Sequence, residues 1–157
     1  MTDSQKINAI LRHTDFVYAN TRLLGHKLLE FHKIPFDLKR EDIMHLFYLG
    51  KNHDSDKLLG FVFEHLWKGD PLFKNALALH HQVSQHHPEF WPGGVKEMPT
   101  IYVAEMVCDC LGRAQEFGTD IKRWFWVTAM DKYEYDITTE FADKVKFFLD
   151  LILTPKF

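Results

Sequence analysis

The residues best equipped for chemistry are His53 and Asp54, which open the run His53-Asp54-Ser55-Asp56-Lys57. They are adjacent polar groups in an otherwise apolar stretch. Leu46, Phe47 and Leu49 precede them, and Leu58, Leu59, Phe61, Val62 and Phe63 follow. An imidazole nitrogen and a carboxylate oxygen that converge on one point make half of a metal site. On a helix, neighbours project about 100° apart, so the two side chains would flank one point in a groove. Lys57 follows at helical spacing on the same side, where its ammonium could hold an anionic group beside the metal. The bland alternative is a solvated helix start with Asp54 as the capping residue.

Other segments supply further ligand types. His13 lies on a stripe that continues through Val17, Asn20 and Leu24. His26 is its rival on the same helix, about 140° further round the axis, so both cannot easily face one site. His32, near the helix end, is expected to be solvated. Four histidines fall within eight residues: His80, His81, His86 and His87. His80 is slightly preferred over His81, because Phe73, Ala76 and Leu77 place it on their helical face. Asp109 stands in Val107-Cys108-Asp109-Cys110-Leu111, where an ionised carboxylate must be paired or metal-bound if that face is buried. Glu105 and Arg113 lie one turn either side and could orient it. The alternative is an exposed Asp109–Arg113 pair. His45 and His65 read as structural, and Trp67, Trp91, Trp124 and Trp126 as core or site walls.

The order His13, then His53-Asp54, then Asp109 resembles the HD-domain superfamily of metal-dependent phosphohydrolases over roughly residues 7–115. Arg12-His13 followed by Val17 looks like that family's first-helix motif, and His53 to Lys57 like its HDxxK form. The chain also resembles a small uncharacterised phage and bacterial family, through His86-His87-Pro88-Glu89-Phe90-Trp91 and Glu105-Met106-Val107-Cys108-Asp109. The resemblance implies an all-α, HD-like fold of six to seven helices and one or two divalent ions, from Fe, Mn, Mg, Co or Zn. The metal ligands it suggests are His13, His53, Asp54, His80, His87 and Asp109, with Asp54 able to bridge two ions. Which of the four clustered histidines bind, and whether His26 replaces His13, stays open at this point. Lys57 is the candidate for a phosphate oxygen, His86 for substrate contact or proton transfer, and Glu89 for a carboxylate holding an imidazole. The implied substrate is a nucleotide or other small phosphate ester. Some HD-fold proteins are instead di-iron oxygenases with four His and two Asp ligands, and a non-catalytic metal- or ligand-binding protein is the third reading.

Composition narrows the setting. A length of 157 residues points to one domain with a real core. A net charge of −3 does not favour binding to nucleic acid. The 14 phenylalanines predict a core of large side chains. Cys108 and Cys110 are too close for an ordinary disulfide and read as thiols of a cytoplasmic protein. The N-terminus lacks a signal-peptide pattern, and no apolar run reaches membrane-spanning length.

Seven helices and one loop must position these residues. A first helix is expected over 4–33, capped by Ser4 and broken by Pro35. A second covers 40–51, with Ile43, Met44, Phe47 and Tyr48 inside. A third, over 53–67, would carry the His-Asp pair, and a fourth spans 71–85. Residues 86–99, rich in Pro and Gly, form a loop. Helices then follow over 99–116, stopped by Gly118, over 120–132, and over 138–153, started by Thr138 or Thr139. No strand is expected.

Overall fold

A computed structural model describes residues 1–155. Its regular elements are all helical: α1 (Asp3–Leu29), α2 (Arg40–Lys51), α3 (Gly60–His65), α4 (Phe73–Val83), α5 (Thr100–Phe117), α6 (Ile121–Arg123), α7 (Ala129–Tyr133) and α8 (Glu140–Leu153). A π-helical turn, Trp124–Thr128, joins α6 to α7 without a break. Counted as one body, that segment gives seven helices among the described residues, as the sequence predicts. Short 3-10 turns cover Ser55–Leu58, Pro88–Phe90 and Gly94–Lys96. No helix among these residues is long and apolar enough to cross a membrane.

Local chemistry sets the ends. Thr2, rather than Ser4, caps α1 and closes a capping box with Gln5. The helix stops at Leu29, four residues earlier than its apolar pattern suggests. Thr139 caps α8 by accepting from the Ala142 N–H, and Gly118 ends α5 in the left-handed conformation. Lys27 is buried, and its ammonium donates to the Leu151 carbonyl at the end of α8, at 2.7 Å. A cation there also meets the negative end of that helix.

The core lies between α1, α2, α5 and α8. Val17, Leu24 and Leu28 meet Ile43 and Leu46, Val103, Val107 and Leu111, and Val145, Phe148 and Leu149. Its centre is mostly aliphatic. Phe125, Phe141 and Phe148 are the buried phenylalanines, and others, such as Phe36, Phe47 and Phe147, pack around the edge. Met44 and Tyr48 were expected inside but are 61% and 64% exposed. The α1 contact selects Ile43, Leu46 and Gly50 as the inner stripe of α2 instead.

α1 and α2 cross closely at Gly50. A Cβ there would overlap the Thr21 hydroxyl and stand 2.8 Å from Thr21 Cβ. Thr21 is fully buried and its hydroxyl donates to the Tyr18 carbonyl, so it has nowhere to turn. Gly50→Ala gains about 1 kcal/mol of helix propensity but overpacks a rigid contact at a cost of about 1–3 kcal/mol. Net destabilisation is expected, read as a lower urea midpoint.

Candidate metal centre

α5 is the platform of the site. Glu105, Asp109, Gly112 and Glu116 repeat at spacings of four, three and four, and so share one face. Gly112 lets α1 approach: a Cβ there would sit 3.2 Å from Val17 Cγ2. This close crossing brings His13, one turn before Val17, against Asp109, with Nε2 2.8 Å from Oδ1. The other ring nitrogen of His13 lies 3.3 Å from Glu116 Oε2. Asn20, on the same α1 stripe, donates to the Cys108 carbonyl and ties the helices together further along.

His53 and Asp54 are not on a helix, contrary to the expectation for 53–67. α2 ends before them, and Asp54 takes a left-handed conformation with φ 56° and ψ 25°. Aspartate tolerates that region better than most residues. The kink reverses the chain and aims both side chains inward, and both are buried. Asp54 starts the following 3-10 turn but makes no side-chain cap, so its carboxylate is spent elsewhere. Thr14 of α1 donates to the His53 carbonyl at 3.2 Å and anchors the turn.

The remaining imidazoles come from the end of α4 and the loop after it. His80 is buried, whereas His81 is half-buried at the rim. His80 Nδ1 lies 2.8 Å from Asp56 Oδ2 and 3.1 Å from Ser84 Oγ. Its Nε2 is left to face His87 Nε2 at 3.1 Å and Asp54 Oδ1 at 3.4 Å. His86 is buried, with Nε2 3.4 Å from Asp54 Oδ1. Glu105 Oε1 stands 3.2 Å from His53 Nδ1 and 3.3 Å from His86 Nδ1. One buried carboxylate thereby turns both Nε2 atoms inward.

Four groups of donors result among the described residues, and two of them form the centre. One is His13, His53 and Asp109; the other is Asp54, His80, His86 and His87. The two aspartates straddle them. Asp54 Oδ2 is 3.3 Å from His53 Nε2, while its Oδ1 faces His80 and His86. Asp109 Oδ1 is 3.5 Å from His53 Nε2, and its Oδ2 is 3.6 Å from His86 Nε2. Two donors bound to one ion at about 2.0–2.2 Å stand roughly 3.0–3.5 Å apart, so these separations are those of a ligand set. His53 Nε2, His86 Nε2 and Asp54 Oδ1 are buried with no hydrogen-bond partner among the described residues. Orphaned polar atoms of this kind are rare, and their place in the two donor groups fits bound cations. The clusters can therefore hold metal.

The charges are arranged accordingly. Burial opposes ionisation of Asp54 and Asp109, but His53 beside both holds them well below the usual carboxylate range. Burial also opposes the His53 cation, yet Asp54 and Asp109 outweigh it and raise His53 well above its ordinary value. For His86, burial and the His53 charge push down, while the Asp54 and Glu105 carboxylates beside it carry it up to about 9. Burial and the His86 charge push His87 down to about 2, so it is neutral.

The structure brings together His13, His53, Asp54, His80, His87 and Asp109, together with His86. His86 is buried within the same donor group as Asp54, His80 and His87. His26 points away and packs on Phe47. Lys57 Nζ lies 2.6 Å from Asp54 Oδ2. Glu89 sits outside, near Tyr133 and Lys132, within reach of His81 and His87. Arg113 pairs with Glu116 at 3.2 Å, not with Asp109, so the exposed Asp109–Arg113 pair does not form. Sequence reasoning missed the Glu105 bridge, the Asp56 and Ser84 contacts to His80, and Glu116 on His13. The acidic stripe of α5 was the readable signal for two of these.

Two outcomes follow from the electrostatics. The metal-free protein should lose stability as pH rises from about 6.5 through 9, because the raised His86 contributes fully below its ordinary 6.5 and not above about 9. With metal the trend should reverse, since ligand nitrogens must shed protons to bind. Thermal melts in chelator and in metal, from pH 6 to 9, check both. Asp109→Asn should abolish the metal-induced rise in melting temperature; an equal rise in variant and wild type would remove Asp109 from the ligands.

No curated protein and no solved structure matches this chain. Residues 2–153, nearly its whole length, match a family of unknown function, DUF5662, and the chain belongs to that family.

Proposed function

We propose that the protein is a metal-dependent phosphohydrolase of HD-domain type acting on a small phosphate ester. The observation that carries this reading is Asp54, whose two oxygens face two different groups of buried imidazoles. His13, His53, Asp54 and Asp109 would hold one ion, and Asp54, His80, His86 and His87 the other. Five imidazoles and two carboxylates favour a transition metal such as Fe, Mn, Co or Zn over Mg. Such ions lower the pKa of water and polarise a phosphoryl oxygen.

The chain's own groups then have distinct tasks. Glu105 and Asp56 orient His53 and His86, and His80, through their other ring nitrogens, and Glu116 lies 3.3 Å from that of His13. Lys57 reaches the Asp54 carboxylate and lines the cavities beside the site, where its ammonium meets a phosphoryl oxygen. His81 lines the same space outside the two central groups and is the imidazole placed to pass a proton to a leaving oxygen. Its pKa is lowered, chiefly by burial, so it is neutral at physiological pH and acts by relay.

The nitrogen-rich donor set also suits a di-iron oxygenase, and one set of measurements separates the two readings. Purified protein should contain about two equivalents of transition metal and hydrolyse members of a phosphate-ester panel. His53→Ala and Asp54→Ala should each lose metal and at least about 100-fold in turnover while keeping the helical circular dichroism spectrum. Full metal occupancy without hydrolysis of any ester would overturn the hydrolase reading. Iron with a visible absorption band that responds to oxygen would favour the oxygenase.

A further inference from the structure

A cavity of about 300 Å³ lies beside the donor groups. α1 lines it with Ile10, α3 with Val62, the chain just after α3 with Leu66 and Trp67, and α4 with Phe73 and Leu77. The polar side chains in its lining are His13, Asp54, Lys57 and Arg113. All four belong to the ion-paired network of the centre. Asp54 Oδ2 lies 2.6 Å from Lys57 Nζ, and Glu116 Oε2 lies 3.3 Å from His13 Nδ1 and 3.2 Å from an Arg113 nitrogen. The cavity thus joins charged groups of the centre to walls of hydrocarbon.

Hydrogen bonding sharpens that contrast. Trp67 carries the one polar atom among the hydrocarbon walls, and its Nε1–H already donates to the Phe63 carbonyl at 2.5 Å. Outside the centre, then, no side chain of the lining has a hydrogen bond to offer a sugar or a base. A hydroxyl entering there would give up its water without a replacement. The neighbouring cavity, of about 330 Å³, is of another kind, since Thr119, Lys132 and Tyr133 bring polar groups to its lining. Size fits as well. About 150 Å³ of dry cavity holds a benzene ring, so the first cavity has room for an arm of roughly six to ten carbons.

We infer that this cavity seats the uncharged hydrocarbon arm of an anionic phosphorus ligand, which makes the substrate of the proposed hydrolase an alkyl or aryl phosphate and not a nucleotide or sugar phosphate. This rests on the hydrolase reading for turnover, whereas the seating of the arm is read by binding alone. In the reaction, a water oxygen bonds to phosphorus and the ester P–O bond breaks. One water proton passes to the leaving oxygen and the other stays on the phosphate, giving an alcohol and inorganic phosphate.

The probes are hexylphosphonate and methylphosphonate, titrated calorimetrically into the Mn-loaded full chain. They share one anionic head, so bound ions act on both alike, and neither has an ester bond to hydrolyse. Hexylphosphonate should bind at least about tenfold more tightly, because its longer chain leaves water. Ala9→Leu fills the cavity from a half-buried position on α1, and Leu66→Gln places an amide in its wall. Each should weaken hexylphosphonate at least about fivefold and leave methylphosphonate unchanged, which also shows that the variant is folded. In parallel, hexyl phosphate should exceed glucose 6-phosphate in kcat/KM by at least about tenfold, since both are primary six-carbon esters that differ in the polarity of the arm. Equal binding of the two phosphonates, or variants that act on both alike, would overturn the inference. Turnover of glucose 6-phosphate matching that of hexyl phosphate would overturn it too, with the hydrolase reading intact. Tighter hexylphosphonate binding, lost in the variants, with neither ester hydrolysed would uphold the hydrocarbon seat while the hydrolase reading fell.

Discussion

The buried carboxylate of Glu105 is the contact on which the site depends. It accepts from the Nδ1 atoms of His53 and His86, which belong to different loops and different donor groups. An ionised side chain in that position is costly unless it is hydrogen-bonded and paired. Burial opposes its charge, and the two imidazoles restore it, leaving Glu105 more acidic than usual. The return is orientation. With each Nδ1 engaged, each Nε2 has only one direction to face, and both face the aspartates. Remove that carboxylate and two rings lose their tautomer and their aim together.

The scaffold divides the labour between rigid and irregular parts. α1 and α5 cross closely at Gly112 and carry His13, Asp109, Glu105 and Glu116 on facing stripes. The irregular segments, 52–59 and 84–99, carry His53, Asp54, His86 and His87. A helix cannot present two adjacent side chains to one point as well as a kinked turn can. The left-handed Asp54 is the device that does it, at a backbone cost of about 1–3 kcal/mol. The anchoring bond from Thr14 and the pull of the imidazoles on the carboxylate hold that strain in place. Local strain and buried charge concentrate where the donors converge, and the aliphatic core under α2 and α8 supplies the stability that tolerates them.

Like charges set the poise of this assembly. Asp54 and Asp109 approach the same imidazoles from two sides, so in the absence of metal His53 and His86 must carry protons to balance them. A divalent cation held at the same point would balance them too, and would also satisfy the orphaned Nε2 atoms. Protons and such an ion would then compete for one set of atoms.

Much of this was legible in the sequence, for a definite reason. Helix periodicity is a local property, so the apolar stripes of α1, α4, α5 and α8 announced the all-α fold, and Gly118 and Thr139 marked two ends through their own backbone preferences. That His13, His53, Asp54, His80 and Asp109 need partners was readable, because polar groups inside apolar runs are costly. The tertiary structure decided what depends on contacts between distant residues. It turned the His-Asp pair out of a helix, because pairing with α5 and α4 requires a kink that no local pattern encodes. It chose His13 over His26 through the α1–α5 crossing, and Ile43 and Leu46 over Met44 and Tyr48 as the inner face of α2. It also gave Glu105 two imidazoles and Arg113 a different carboxylate, since orientation among several nearby charges is settled only when the helices carrying them are packed.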